Sequence, residues 1–300
     1  MTDHLPVVLV VTSREDVAAD MVVRHLGGGA LPATVHRVDP ADIETGFLHL
    51  SAYISGSGCT FDLIDPYRTT MSTQIRSIWW RKPTTTASDE GHAQLEGLLR
   101  TLVGVRWINH PDDNTAASHK PSQLLRAYRA GFKVPDMYIP ASPEDAEMYA
   151  GLQDGDIVAK TLAIKGPLTF VTPDWKASLR EGPRVLQTRV PAEYHVRLTA
   201  VDGKLFAASI VPPDGEIDWR QVDETAKYAP IEIPRAVEKA AELYLEMASL
   251  IYGAFDFAVD RDGVWWFLEC NPNGQSGFIE LATGLPISLA IAEALAAPRG

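Results

Sequence analysis

Three hundred residues suffice for two or three domain-sized units, and 46% hydrophobic with 22% charged residues describe an ordinary soluble globular chain. The formal charge of -12 weighs against nucleic acid as a partner, because that affinity rests on Lys and Arg neutralising phosphates. Cys59 and Cys270 carry no metal spacing, and the apolar runs at 5–11 and 285–297 are too short to span a bilayer and lack signal-peptide flanks, so a cytoplasmic protein without membrane contact is expected.

Along the chain, residues 7–26 read as buried strand, polar turn and amphipathic helix, a βα unit. Strands follow at 35–39, in a hairpin at 48–65 about a Gly-Ser-Gly turn, and at 75–83, with a helix predicted over 95–105. The polar segment 108–123 reads as turns, and a domain boundary is placed at about 110–118. A helix is then expected from 122, with Pro121 near its start and Gly131 just past its end. Short strands are predicted at 156–162, 166–172 and 185–190. Residues 194–210 and 254–270 each show two strand-like runs about an Asp-Gly turn, separated by a long amphipathic helix at 234–253. The layout is α/β at the start and α+β afterwards.

The second of these hairpins carries the chemistry. With Asp262-Gly263 as a two-residue loop, Arg261 faces Val264 and Asp256 comes opposite Glu269, with side chains roughly 5 Å apart on one face. Asn271 shares that face, while Phe257, Val259, Leu268 and Trp266 are assigned to the other. Opposed carboxylates destabilise a sheet, but together with an amide oxygen they are the hard ligands that Mg2+ takes along with phosphates. A solvated edge hairpin with a Lys or Arg counter-ion is the competing reading, and a one-residue change in the turn would break the pairing.

Phosphates need cations. Lys120 stands at a helix start, where free amides and the macrodipole favour anions, and Lys160 ends a half-buried strand. Each alone also reads as a surface lysine. The extended stretch Gln187, Thr188, Arg189, Val190 offers backbone amides and carbonyls to a base edge. Arg197 alternates with Val196 and Leu198 and so points away from the core; Arg220 lies in a polar segment with Trp219. Both read either as bidentate anion clamps or as surface ion pairs. No HExxH, no activated cysteine and no GxxxxGK(S/T) loop is present.

In this order, the helix-start lysine, strand lysine, hinge, arginine strand and Asp256 with Glu269-x-Asn271 resemble the ATP-grasp superfamily. Residues 77–83 (SIWWRKP), 108–139 and 269–295 narrow the likeness to the ATP-grasp ribosomal peptide maturases, the graspetide (microviridin-type) synthetases, in their actinobacterial branch. The resemblance implies a Rossmann-like pre-ATP-grasp domain at 1–115, a central ATP-grasp subdomain at 116–190 and a C-terminal one at 191–300 carrying the metal ligands. It implies that Lys120 and Lys160 contact ATP phosphates and that Gln187–Val190 hold adenine. Asp256, Glu269 and Asn271 then bind Mg2+ (two ions), and Arg197 and Arg220 meet the transferring phosphate. The expected partner is a precursor peptide with a leader and an acidic, Thr/Ser-rich core, acting on a homodimeric enzyme. Two positions depart from the pattern. Ser276 stands where an aromatic residue is common, and His195 occupies the acidic place in the arginine strand, leaving Glu193 as the candidate for ribose. Lys165, in a loop with little glycine, is a further guess for the phosphates. A carboxylate-amine ligase of small molecules or protein tails (glutathione-synthetase-like) shares every ATP-site residue, and a non-catalytic ATP-binding protein is the other alternative.

Overall fold

The first strand is apolar from Val7 to Val11 because it is covered on both sides. A computed structural model describes residues 6–27, 31, 33–84, 90–153, 155–162, 174–180, 182, 184–213 and 225–297. β1 (Val7–Thr12) is buried at all six positions. It leads into α1 (Val17–Leu26), whose start is capped by Asp16, the carboxylate accepting from the amides of Ala18 and Ala19. β2 (Thr34–Val38) follows, then α2 (Ala41–Glu44) and the antiparallel sheet β3 (His49–Ser55), β4 (Gly58–Ile64), β5 (Thr69–Met71). β6 (Ile75–Lys82), α3 (Glu90–Leu99) and β7 (Arg106–Ile108) complete a four-stranded parallel sheet in the order β2-β1-β6-β7.

The buried ring of His36 ties the two sheets together, with Nδ1 at 2.8 Å from Thr70 Oγ1 and Nε2 at 3.0 Å from Asp65 Oδ2. Burial outweighs the attraction of Asp65 and lowers the His36 pKa from its ordinary 6.5. A neutral imidazole in the fold means that the unfolded chain binds a proton first as pH falls. Stability is therefore unaffected above about pH 6.5 and declines below it until the folded value is passed. Melting temperatures should fall on going from pH 7 to pH 5, and His36→Gln should flatten that slope; an unchanged slope would remove His36 as its source.

Two expectations are corrected in the next stretch. The helix predicted over 95–105 is α3, which runs earlier and stops at Leu99: Leu95 and Leu99 are its buried contacts, and Gly104 takes a left-handed turn at φ 71°. The turn-rich segment 108–123 contains a helix, α4 (Pro111–Ala117), because His110 accepts from the Asp112 amide, proline opens the first turn and two aspartates follow. α5 (Lys120–Ala130) ends as expected at Gly131, φ 104°.

β8 (Met137–Tyr138), α6 (Pro143–Gly151), β9 (Ile157–Lys160), α7 (Trp175–Arg180) and β10 (Val185–Thr188) form a small unit with sheet order β8-β10-β9, packed on Ala146, Trp175 and Leu179. The strand predicted at 166–172 lies outside the described residues.

The last sheet is antiparallel, in the order β13-β12-β11-β14-β15. Its strands are β11 (Tyr194–Val201), β12 (Lys204–Val211), β13 (Lys227–Pro230), β14 (Tyr252–Val259) and β15 (Trp265–Asn271), with α8 (Arg235–Met247) between β13 and β14. α8 buries Val237, Ala240, Ala241, Tyr244 and Leu245, a helical stripe that packs with Phe132 on Val196, Leu198, Phe255, Phe257 and Phe267. The opposite face of this sheet meets α9 (Gly277–Thr283) and α10 (Ile287–Ala296) at one end, through Ala254 and Ile279, and is open to a cleft at the other. α10 returns to the first sheet, packing Ile287, Ile291 and Leu295 with Val8, Val10 and Val22, while Ser77 Oγ donates to Leu295 O at 2.7 Å. Among the described residues no helix is long and apolar enough to cross a membrane.

Candidate functional site

Asp256 does pair with Glu269. The route to that pairing differs from the two-residue loop that predicts it. Asp260 pairs with Val264, and Gly263 N donates to Asp260 O at 2.9 Å with Gly263 at φ 76°, so the loop has three residues, a tight turn closed by a left-handed glycine. The Asp260 carboxylate accepts from the amides of Asp262 and Val264 and from Trp266 Nε1, which holds that longer form. Phe257 then faces Phe267 rather than Leu268, and a bulge at Leu268 restores the register before Glu269. The core face is corrected accordingly. Trp265 and Phe267 lie with Phe257 and Val259, whereas Leu268 lines the cleft and Trp266 is only half-buried. The other Asp-Gly, at 202–203, is a two-residue turn with both residues left-handed, φ 50° and 80°.

Register places Arg197 beside Asp256 across β11 and β14, and Asp256 beside Glu269 across β14 and β15. Arg197 Nε is 3.0 Å from Asp256 Oδ1, and Lys120 Nζ, on the first turn of α5, is 3.9 Å from Glu269 Oε2. Four charges thus stand in one row: cation, carboxylate, carboxylate, cation. Arg197 points away from Val196 and Leu198 as expected, yet it is not at the surface. It is 7% exposed, with its guanidinium 5.8 Å from the ring of Phe278. Asn271 follows on the face of Glu269, its Oδ1 accepting from the Asn273 amide at 3.0 Å.

The row adjoins a narrow cleft with a cavity volume of about 100 Å³. Its walls include Lys160, the run Gln187 to Val190, Glu193, His195, Ala258 and Leu268. Lys160 Nζ donates to Gln187 Oε1 across β9 and β10. Gln187 is 2% exposed and its Nε2 has no hydrogen-bond acceptor among the described residues. A buried amide donor left open costs free energy unless a ligand accepts from it, and the ring nitrogens of a purine do so. Arg189 pairs with Asp156, at 3.1 Å. Arg220 and Lys165 lie outside the described residues.

Several residues at this site escape sequence reasoning. Arg81, the arginine of SIWWRKP, is buried and donates from Nη1 to the carbonyls of Asn273 (2.8 Å) and Gly274 (2.9 Å), with Nε 3.4 Å from Asp16. Asn109 donates to Tyr252 O and Pro272 O and accepts from the Ile251 and Tyr252 amides. Gln123 brackets Cys270, donating to its carbonyl and accepting from its amide. These three side chains fix the end of β15 and the loop after it. At Gly274 any Cβ would lie 2.6 Å from that of Ala254 and 3.2 Å from Arg197 Nη1, so only glycine fits. The chain's departure at Ser276 leaves a buried serine there, and the aromatic contact to Arg197 comes from Phe278.

Two carboxylates and an amide oxygen on one face form a hard-ligand set. Among the described residues no group of three or more His, Cys, Asp or Glu is placed to hold a metal by itself. The set therefore suits an ion that completes its shell with phosphate oxygens and water, as Mg2+ does.

No protein-family model matches the chain, and neither does any curated protein. Among solved structures it is similar to macrocyclase MdnC bound with precursor peptide MdnA from Microcystis aeruginosa MRC, with 25% identity over 96% of this chain and 99% of that one and a TM-score of 0.81. It is also similar to the Chryseobacterium gregarium RiPP-associated ATP-grasp ligase in complex with ADP and a leader and core peptide, at 22% identity, 98% of each chain and a TM-score of 0.84. The ATP-grasp ligase PsnB complexed with minimal precursor, Mg and ADP matches at 20% identity, 96% of each chain and a TM-score of 0.73. The fold is that of the ATP-grasp ligases.

Proposed function

We propose that the protein is an ATP- and Mg2+-dependent, ADP-forming ligase that closes rings in a ribosomal precursor peptide, a graspetide synthetase. The observation that carries this reading is the charge row of Lys120, Glu269, Asp256 and Arg197 beside a cleft that ends in the unfilled amide of Gln187. A side-chain carboxylate of Asp or Glu in the peptide attacks the γ-phosphorus, the bond to the ADP oxygen breaks, and an acyl phosphate forms. A Ser or Thr hydroxyl (or a Lys amine) of the same peptide then bonds to the acyl carbon as its proton leaves and phosphate departs. The result is an ester or amide crosslink and the loss of one water per ring.

Such chemistry needs positioning and charge neutralisation rather than a covalent nucleophile. Asp256, Glu269 and Asn271 hold Mg2+, which when bound neutralises the phosphate charge. Lys120 and Lys160 contact phosphates, Gln187 to Val190 grip the base, and Glu193 is the candidate for ribose. Arg197 steadies the transferring phosphoryl group, with Arg220 assigned to the same task. A homodimer belongs to the same reading.

The test is incubation with ATP, Mg2+ and the Thr/Ser- and Asp/Glu-rich peptide encoded beside the gene, read by mass spectrometry and ADP release. Loss of water within one peptide supports the reading; joining of two molecules, or no peptide-dependent ADP, overturns it. Lys160→Ala should weaken ADP binding about tenfold, since a charge-assisted contact is lost. Equal affinity in a calorimetric titration would take Lys160 out of the phosphate site.

A further inference from the structure

The motif at 77–83 supplies one cation that the mechanism above leaves without a task. In a regular strand Arg81 and Lys82 would point to opposite faces. β6 instead breaks register against β1: Val11 pairs with Trp80, but Thr12 pairs with Lys82. The skipped residue is Arg81, and such a bulge brings two successive side chains to the same side, a device common beside active sites. The backbone holds this form, since Lys82 O accepts from Ser13 N at 2.8 Å and from Thr12 Oγ1.

The bulge brings Lys82 to the side of Arg81, and its charge interacts with Arg81, Asp16 and Arg197. The neighbours are already matched. Arg81 has Asp16 and the two loop carbonyls, and Arg197 has Asp256. Among the described residues no carboxylate lies within ion-pair distance of Lys82 itself. An ammonium next to two guanidiniums, without its own counter-ion, in a chain of net charge -12, is a local excess of positive charge that an anion relieves. Lys82 is exposed and so reachable, yet loss of hydration, followed by the repulsion of Arg81, lowers its pKa from the ordinary 10.5.

We propose that Lys82 binds the acidic side chain of the substrate, holding its carboxylate beside Arg197 for phosphorylation. This rests on the ligase reading, and it makes Lys82 a specificity residue that selects a carboxylate over its amide.

The test is calorimetric titration of the full chain, saturated with ADP and Mg2+, with Nα-acetyl-glutamate N-methylamide as a probe for a peptide Glu and the glutamine compound as its control. Wild type should bind the glutamate probe and not the glutamine one. Lys82→Met should lose about tenfold or more in affinity for the glutamate probe, the effect of removing one charge-assisted contact, and Lys82→Arg should recover most of it. Affinity for ADP and Mg2+ should be equal in all three proteins, which separates this role from a loss of fold. Equal binding of the glutamate probe by Lys82→Met, or failure of wild type to distinguish the probes, overturns the proposal while leaving the ligase reading in place. Absence of ADP binding by wild type sinks the ligase reading and the proposal with it.

Discussion

Glu269→Gln should abolish peptide-dependent ADP formation, a loss of about 100- to 1,000-fold or more, the effect of removing a group that stabilises charge in the transition state. The substitution keeps the shape of the side chain and its place opposite Asp256, so the hairpin should form unchanged. Stability should alter little. Glu269 is partly exposed and its contact to Lys120 is long, at 3.9 Å, and such ion pairs contribute about 1 kcal/mol or less. Removing one of two adjacent like charges also relieves repulsion in the metal-free protein. A second readout does not involve catalysis. Mg2+ with ADP should raise the melting temperature of wild type more than ADP alone does, and this increment should vanish in the variant. Retained turnover, or a retained Mg2+ increment, would sink the assignment of Glu269 as a ligand.

Arg81→Met should be the most damaging change outside the charge row. Arg81 is buried, and its removal leaves Asp16 without its cation and two loop carbonyls without a donor. Losing one member of a buried, hydrogen-bonded pair costs about 3 kcal/mol or more. The loss should reach the site as well, because the loop it holds follows Asn271 directly and includes Gly274, where even a Cβ would crowd Arg197. Arg81→Lys should recover little of either, since one ammonium cannot reproduce the fork that serves Asp16 and both carbonyls. Denaturant unfolding and ADP release measure the two effects separately. Wild-type behaviour of Arg81→Met in both would remove the anchoring role.

Where the determinants are local, sequence and structure agree. The opening βα unit forms, Gly131 ends a helix, and Asp202-Gly203 makes the expected turn. The apolar stripe of α8 is readable because its period is helical. The same dipeptide at 262–263 misleads because Asp260, outside the pair, gathers two amides and an indole and so lengthens the loop. Asp256 still meets Glu269 only because the bulge at Leu268 cancels the longer loop. The tasks of Arg81, Asn109 and Gln123 could not be read, since each bonds to backbone more than a hundred residues further along. An aromatic-flanked arginine or a polar amide looks the same in sequence whether it is spent on a distant loop or on solvent. Arg197 shows the remaining limit. Alternation gives its face, but only the packing of α9 reveals that this face is buried.

The three-residue loop and the bulge act like an insertion and a deletion that restore one another's reading frame. Neither can be lost by itself without turning Glu269 away from Asp256. Leu268, the bulged residue, also forms part of the cleft wall beside Gln187 and Val190. In the ligase reading, one irregularity thus sets both the apolar floor for a base and the acid for an ion. Descendants of this chain can change the hairpin only through paired events, and in that reading the grip on the two ends of a nucleotide is inherited as one trait.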